Sequence, residues 1–204
     1  QQVSRSAGQQ VHPKAPNMDR DTLLQLLKNY RDRYPEEGDR VDQFCDFVER
    51  DEDCFERSNS FGHITGSGWI VDEAGESTLL THHAKLGIWL QPGGHADGNP
   101  DVLAVAMEEC EEETGLTHLV PASEEIFDLD IHGIPARPGE PAHCHFDIRF
   151  LVRHTGDGNY VVSEESHDLA WVPMDNLEDF TDEWSMRRMR RKALKLRSAL
   201  ERHS

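Results

Sequence analysis

A mixed α+β fold, carried by one domain with helices ahead of it, is what this sequence predicts, and three observations predict it. Helix-period stretches open and close the chain, while runs of alternating β-branched and aromatic residues fill its middle. One helix-period segment, and only one, interrupts the strands, so the pattern is not the repeating βαβ of a doubly wound sheet. At 204 residues the chain has enough length for one domain with a full core but little room for two.

The elements follow in order. Residues 1–17 (QQVSRSAGQQVHPKAPN) are polar and aperiodic and are expected to be a flexible lead-in, with Met18 a natural start. DRDTLLQLLKNYRDRY then predicts a helix capped by Asp19 or Asp21, with Leu23, Leu24, Leu27 and Tyr30 on one side. A second helix is predicted over about 39–50, where Val41, Phe44, Cys45 and Val48 recur at i, i+3, i+4 and i+7. These two helices make an N-terminal segment, residues 18–58, packing on a main domain of 59–204.

Strand texture begins at Phe61. FGHITGSGWIVD, STLLTHH and GIWLQ are short runs separated by Gly, Asp and Ser turn signals, with His82 and His83 ending the second. Beyond the central helix, EIFDLDIHGI, AHCHFDIRFLVRH, NYVVS and LAWVPM read as further strands. The tail, EWSMRRMRRKALKLRSALERH, reads as a basic helix. Seven of the twelve residues in MRRMRRKALKLR are Arg or Lys, which suits either phosphate binding or pairing with the acidic body of the same chain.

Composition narrows the function. Net charge is −18, from 39 acidic and 21 basic residues, which argues against a general nucleic-acid binder. An anionic small molecule would also be repelled unless a cation intervenes. No apolar run approaches the ~18 residues of a membrane span, and no signal-peptide pattern opens the chain. The four cysteines (Cys45, Cys54, Cys110, Cys144) show no CxxC spacing, so reduced thiols and a cytoplasmic location are expected.

The central helix carries the chemistry. Asn99 is expected to cap it, with Pro100 at the first position and Asp101 facing the positive end of the dipole. Leu103, Ala106, Met107, Cys110 and Thr114 form a stripe toward a core, and Gly115 stops the helix. Five glutamates occupy six positions, 108–113. Like charges three or four apart repel by roughly 0.2–0.5 kcal/mol per pair, and the helix C-terminus disfavours them further. Glu109, Glu112 and Glu113, at i, i+3 and i+4, converge on one side. An oxygen-preferring cation such as Mg²⁺ turns that repulsion into a site; a solvated acidic face is the plain alternative. Gly93 and Gly94 make a tight turn just upstream, and with His95 inside it they are the candidate substrate-binding residues.

This stretch resembles the Nudix hydrolase box, G-x5-E-x7-R-E-U-x-E-E-x-G-U with U apolar. Gly94 takes its first position, and Glu109, Cys110, Glu112, Glu113, Gly115 and Leu116 match its end at the right spacing. WLQPGGH resembles the strand that leads into the box, and the resemblance extends over roughly residues 60–180. It implies a Nudix-like α/β/α sandwich with a mixed β-sheet, preceded here by the N-terminal helical segment. It also implies hydrolysis of a nucleoside diphosphate linked to another moiety, with Mg²⁺ or Mn²⁺ held by Glu109, Glu112 and Glu113. Glu112, Glu109 or Glu165 would then take the proton from the attacking water. Glu165 enters because SEESHDLAW resembles the acidic loop ahead of a Trp-containing strand in that family. ADP-sugars, dinucleoside polyphosphates, NADH and damaged nucleotides all remain open as substrates, and a homodimer is compatible with the family.

Two positions depart from the box. Pro100 replaces its first Glu, and Glu108 replaces its Arg. Either the trio loses an orienting guanidinium, or Glu108 faces solvent while another Arg serves. The competing reading is a Nudix-fold nucleotide-binding or regulatory module with weakened catalysis. An isopentenyl-diphosphate isomerase-like enzyme would need a catalytic Cys, and Cys110 falls on the apolar stripe. AHCHFD places His143, His145 and Asp147 on one strand face, read as a half-buried sheet surface or a second metal or phosphate set.

Overall fold

The structure is a computed structural model, and it describes residues 18–84, 86–163 and 166–202. The lead-in 1–17 and the acidic pair Glu164 and Glu165 lie outside the described residues. Four α-helices and eight strands run in the order α1 (Arg20–Arg33), α2 (Gly38–Arg50), β1 (Gly62–Val71), β2 (Ser77–His83), β3 (Trp89–Leu90), β4 (Gly93–His95), α3 (Val102–Thr114), β5 (Leu119–Pro121), β6 (Asp128–Ile134), β7 (His143–His154), β8 (Ser166–Pro173) and α4 (Trp184–Glu201). The mixed α+β architecture expected from the sequence is therefore present.

β1 is the spine. It is buried along its whole length, runs parallel to β7 from Gly62↔Cys144 to Val71↔Arg153, and pairs antiparallel with β2 and β4. β6 and β5 flank β7, and β8 and β3 flank β2. A strand buried on both faces has no polar side to alternate toward, so β1 must bury its His63, Thr65 and Ser67 as well as its apolar residues.

One sheet face packs α1, α2 and α3. Leu23, Leu27, Tyr30, Phe44 and Val48 share a core with Ile64, Val102, Ala106, Phe146, Ile148 and Phe150. The contact with α3 is close because β1 offers glycine: a Cβ at Gly68 would lie 2.1 Å from Cys110 Sγ. The other face meets α4, whose Met186 and Met189 cover Trp69, Leu80 and Val172.

Three readings of the sequence are corrected. NYVVS is not a strand: residues 159–163 have no regular structure, and the Val161 N–H donates to the Thr114 carbonyl at 2.7 Å, satisfying the end of α3. The α3 cap is Asp101, whose carboxylate accepts from Ala104 N at 3.1 Å, while Asn99 Oδ1 accepts the Asp101 N–H. Gly93-Gly94-His95 is not only a turn but a short strand on β1. The basic tail turns inward in part. Arg188 and Lys192 donate to Asp128 at 2.7–2.8 Å, and Arg149 joins them from β7. Burial alone would raise the Asp128 pKa, but Arg188, Arg149 and Lys192 together hold it below the ordinary carboxylate value.

Candidate active site

The site is built where β4 meets the last two turns of α3. β4 pairs with β1 through Thr65↔His95, Gly66↔Gly94 and Ser67↔Gly93, which lays the Gly-Gly backbone across the flank of the helix. Gly94 lets the Glu109 carboxylate rest against that backbone, since a Cβ there would sit 2.1 Å from Glu109 Oε1. Glu113, one turn later, is buried, and its Oε1 accepts the Gly93 N–H at 2.8 Å. Glu112 is exposed on the same side of the helix end. Of the trio read from sequence, Glu113 is fixed on Gly93 and Glu109 leans on Gly94, while Glu112 is open to solvent.

This donor set suits a hard divalent cation. Carboxylate oxygens on adjacent turns, with an open side for water and substrate, match the few-carboxylate mode in which Mg²⁺ is held. Glu108 and Glu111 are exposed, and Glu108 stands one turn before Glu112. A guanidinium does lie near the trio, though not at position 108. Arg57, on the loop before β1, donates to Asp97 at 2.5 Å through Nε. That bond holds its pKa above the ordinary value, and the charges of Asp97, Glu109 and Glu140 add to it. No periodicity marks Arg57, so only its neighbour Asp97 in the box loop gives it away.

His95 does not share the face of Gly94. Side chains alternate along a strand, so its ring projects to the opposite side of the sheet, 4.9 Å from the His63 ring. His143, His145 and Asp147 do share a face, as their period-two spacing predicted. Asp147 is consumed structurally: it accepts from Thr65, Ser67 and Arg149 at 2.6–2.9 Å. Cys110 is buried, and that burial, with Glu113, Glu109 and Glu111 nearby, pushes its thiol well above the usual range. A thiol so suppressed is no nucleophile, which disfavours isomerase chemistry at this position. All four cysteines are free, and no helix among the described residues is long and apolar enough to cross a membrane.

Comparison with known proteins places this geometry. The family model of the NUDIX domain matches residues 63–193, from β1 into α4. Among solved structures, a C. elegans Ap4A hydrolase binary complex is similar at a TM-score of 0.55 with 18% identity, covering 67% of this chain and 98% of that one. A MutT protein from Methanosarcina mazei Go1 is similar at 0.52 with 21% identity, covering 67% and 96% respectively. At these identities the likeness is one of fold. Among curated proteins, none matches the sequence.

Proposed function

The chain belongs to the NUDIX domain family, and on that premise we propose that it is a pyrophosphohydrolase that cleaves a nucleoside diphosphate linked to another moiety, with Mg²⁺ or Mn²⁺. The observation that carries this reading is the fold of the box: Glu109 and Glu113 meet Gly94 and Gly93 where the β4 backbone lies against α3, and Glu112 lies between them in sequence and is exposed.

Glu109, Glu112 and Glu113 would hold the metal, which supplies Lewis-acid polarisation of the phosphoryl oxygens and offsets the charge of the leaving phosphate. The protein's own part is positional. The Gly93 N–H holds Glu113 in place, and Gly94 keeps the space beside Glu109 clear of any side chain. Glu112 is exposed to solvent, where it can accept a proton from water, and Glu109 or Glu165 is the other candidate for that role.

The test is a chromatographic screen for the nucleoside monophosphate and the phosphorylated second product over ADP-sugars, dinucleoside polyphosphates, NADH and damaged nucleotides, with Mg²⁺ and with Mn²⁺. Glu112→Gln and Glu109→Gln should each lower kcat on order of 10²-fold or more, the scale of a lost proton acceptor. Unchanged turnover in both variants overturns the reading.

A further inference from the structure

Along the sheet face opposite α3, the side chains of β1 and β7 change character in step. Trp69 and Leu151 give way to Ser67 and Arg149, then to Thr65 and Asp147, then to His63 and His145. The last step lies clear of the helix α4 core and gathers five imidazoles. The His63 ring lies 4.9 Å from His95, 5.0 Å from His143 and 4.9 Å from His145, and His132 of β6 stands 5.3 Å from His145.

We propose that His63, His95 and His145 form a transition-metal site, distinct from the box glutamates, that takes Zn²⁺ or another imidazole-preferring divalent ion. One ring nitrogen from each of the three lies within 4.8 Å of the other two. Tetrahedral Zn²⁺ with Zn–N bonds of about 2.0–2.1 Å sets its nitrogens about 3.3–3.4 Å apart. The ring nitrogens must therefore close by about 1.5 Å at most.

The polar atoms point the same way. His63 is 2% exposed, with the Asn59 backbone beside it but no well-formed hydrogen bond to either ring nitrogen, His145 Nε2 is buried without one, and His143 Nε2 has only the Glu140 carboxylate at 3.8 Å. A buried polar atom left unmatched costs about 1–3 kcal/mol, so several in one place call for a shared ligand. A neutral imidazole nitrogen offers the lone pair a metal requires. Nitrogen donors select Zn²⁺, Ni²⁺, Co²⁺ or Cu²⁺ over Mg²⁺, which favours oxygen. His143 or a water can complete the fourth position. A cleft of about 230 Å³, lined by Arg57, Ser58, Asn59, Ser60, Glu140 and His143, opens beside the cluster as an access route. An ion bound here ties β4, which carries Gly93 and Gly94, to the central β1–β7 pair.

The experiment titrates the chelator-stripped full chain with Co²⁺, followed by visible absorption, and then displaces it with Zn²⁺. One Co²⁺ per chain with ligand-field bands of nitrogen coordination is expected. His63→Gln and His145→Gln should weaken binding at least tenfold, while Glu112→Gln should leave it intact. Should either histidine variant fold poorly by circular dichroism, ¹⁵N shifts of the wild-type imidazoles on adding Zn²⁺ give the same answer, moving for His63, His95 and His145. Absence of stoichiometric Co²⁺ and Zn²⁺ binding by the wild type overturns the proposal, as does wild-type affinity in both histidine variants. The readout is independent of turnover, so it fails or succeeds apart from the hydrolase reading.

Discussion

Glu113 and Gly93 stand twenty positions apart, and the Glu113 carboxylate accepts the Gly93 N–H at 2.8 Å, joining the end of α3 to β4. The bond gives Glu113 two separable roles, one as a hydrogen-bond acceptor and one as a charge. Glu113→Gln keeps the acceptor oxygen and should unfold in urea within about 1 kcal/mol of the wild type, while losing most metal-dependent turnover. Glu113→Ala leaves the Gly93 N–H unmatched and should cost about 1–3 kcal/mol in the same denaturation. Equal stability of the two variants would show that the bond contributes nothing.

The adjacent glycines should respond to alanine in opposite ways. A Cβ at Gly94 meets the end of the Glu109 side chain at 2.1 Å, which can swing aside. Gly94→Ala should therefore fold normally and lose turnover by tenfold or more. A Cβ at Gly93 meets Ser67 Oγ at 2.1 Å and its Cα at 2.8 Å, inside the sheet. Gly93→Ala must shift backbone and should lower stability by about 1–3 kcal/mol, as overpacking does. Thermal melts run beside kinetics distinguish the two.

Glu108 occupies the box position of an Arg but is exposed, whereas the Arg57 guanidinium lies near enough to Glu109 to feel its charge. Glu108→Arg should change kcat/KM less than threefold, and Arg57→Ala should lower it several-fold. A large gain from Glu108→Arg would mean that the missing guanidinium, not Arg57, limits the site.

Acid should attack the molecule first at Asp128. Its folded pKa is depressed below the ordinary 3.8 by Arg188, Arg149 and Lys192 against the opposing effect of burial. A depressed carboxylate stabilises the fold fully above its unfolded value, and that contribution drains away as pH falls below about 4 toward the folded pKa. The melting temperature should thus fall steeply below pH 4. Asp128→Asn strands buried cations and should cost about 3–5 kcal/mol at pH 7, with a flatter acid limb. An unchanged pH profile in Asp128→Asn would sink the assignment.

What could be read in the sequence was what depends on near neighbours along the chain. The α3 stripe follows from helical period and stands in the fold, and Glu109 and Glu113, four residues apart, meet Gly94 and Gly93. Asp101 displaced Asn99 as cap because both can accept an N–H, and residue type alone does not rank them. Tyr160, Val161 and Val162 have strand-forming side chains, but three exposed positions with no pairing partner do not make a strand. His63 and Arg57 went unnoticed for a different reason. His63 meets His145 only through the parallel register of β1 with β7, and Arg57 meets Asp97 of the box loop only through a loop. Such meetings are decided by topology, which no local pattern contains.

That register has a kinetic consequence. Joining Gly62 to Cys144 and Val71 to Arg153 closes a loop of about eighty residues, and β4, α3 and β6 all lie within it. Parallel pairings at such separation make the entropic cost of closure precede the reward of contact, placing folding toward the slower, millisecond-to-second end of single domains. On the ribosome β1 must wait unpaired on its β7 side until residue 153 has emerged. The glycine strand docks on the other edge of β1, through Thr65, Gly66 and Ser67, so the seam that waits for β7 is the one that brings His145 beside His63.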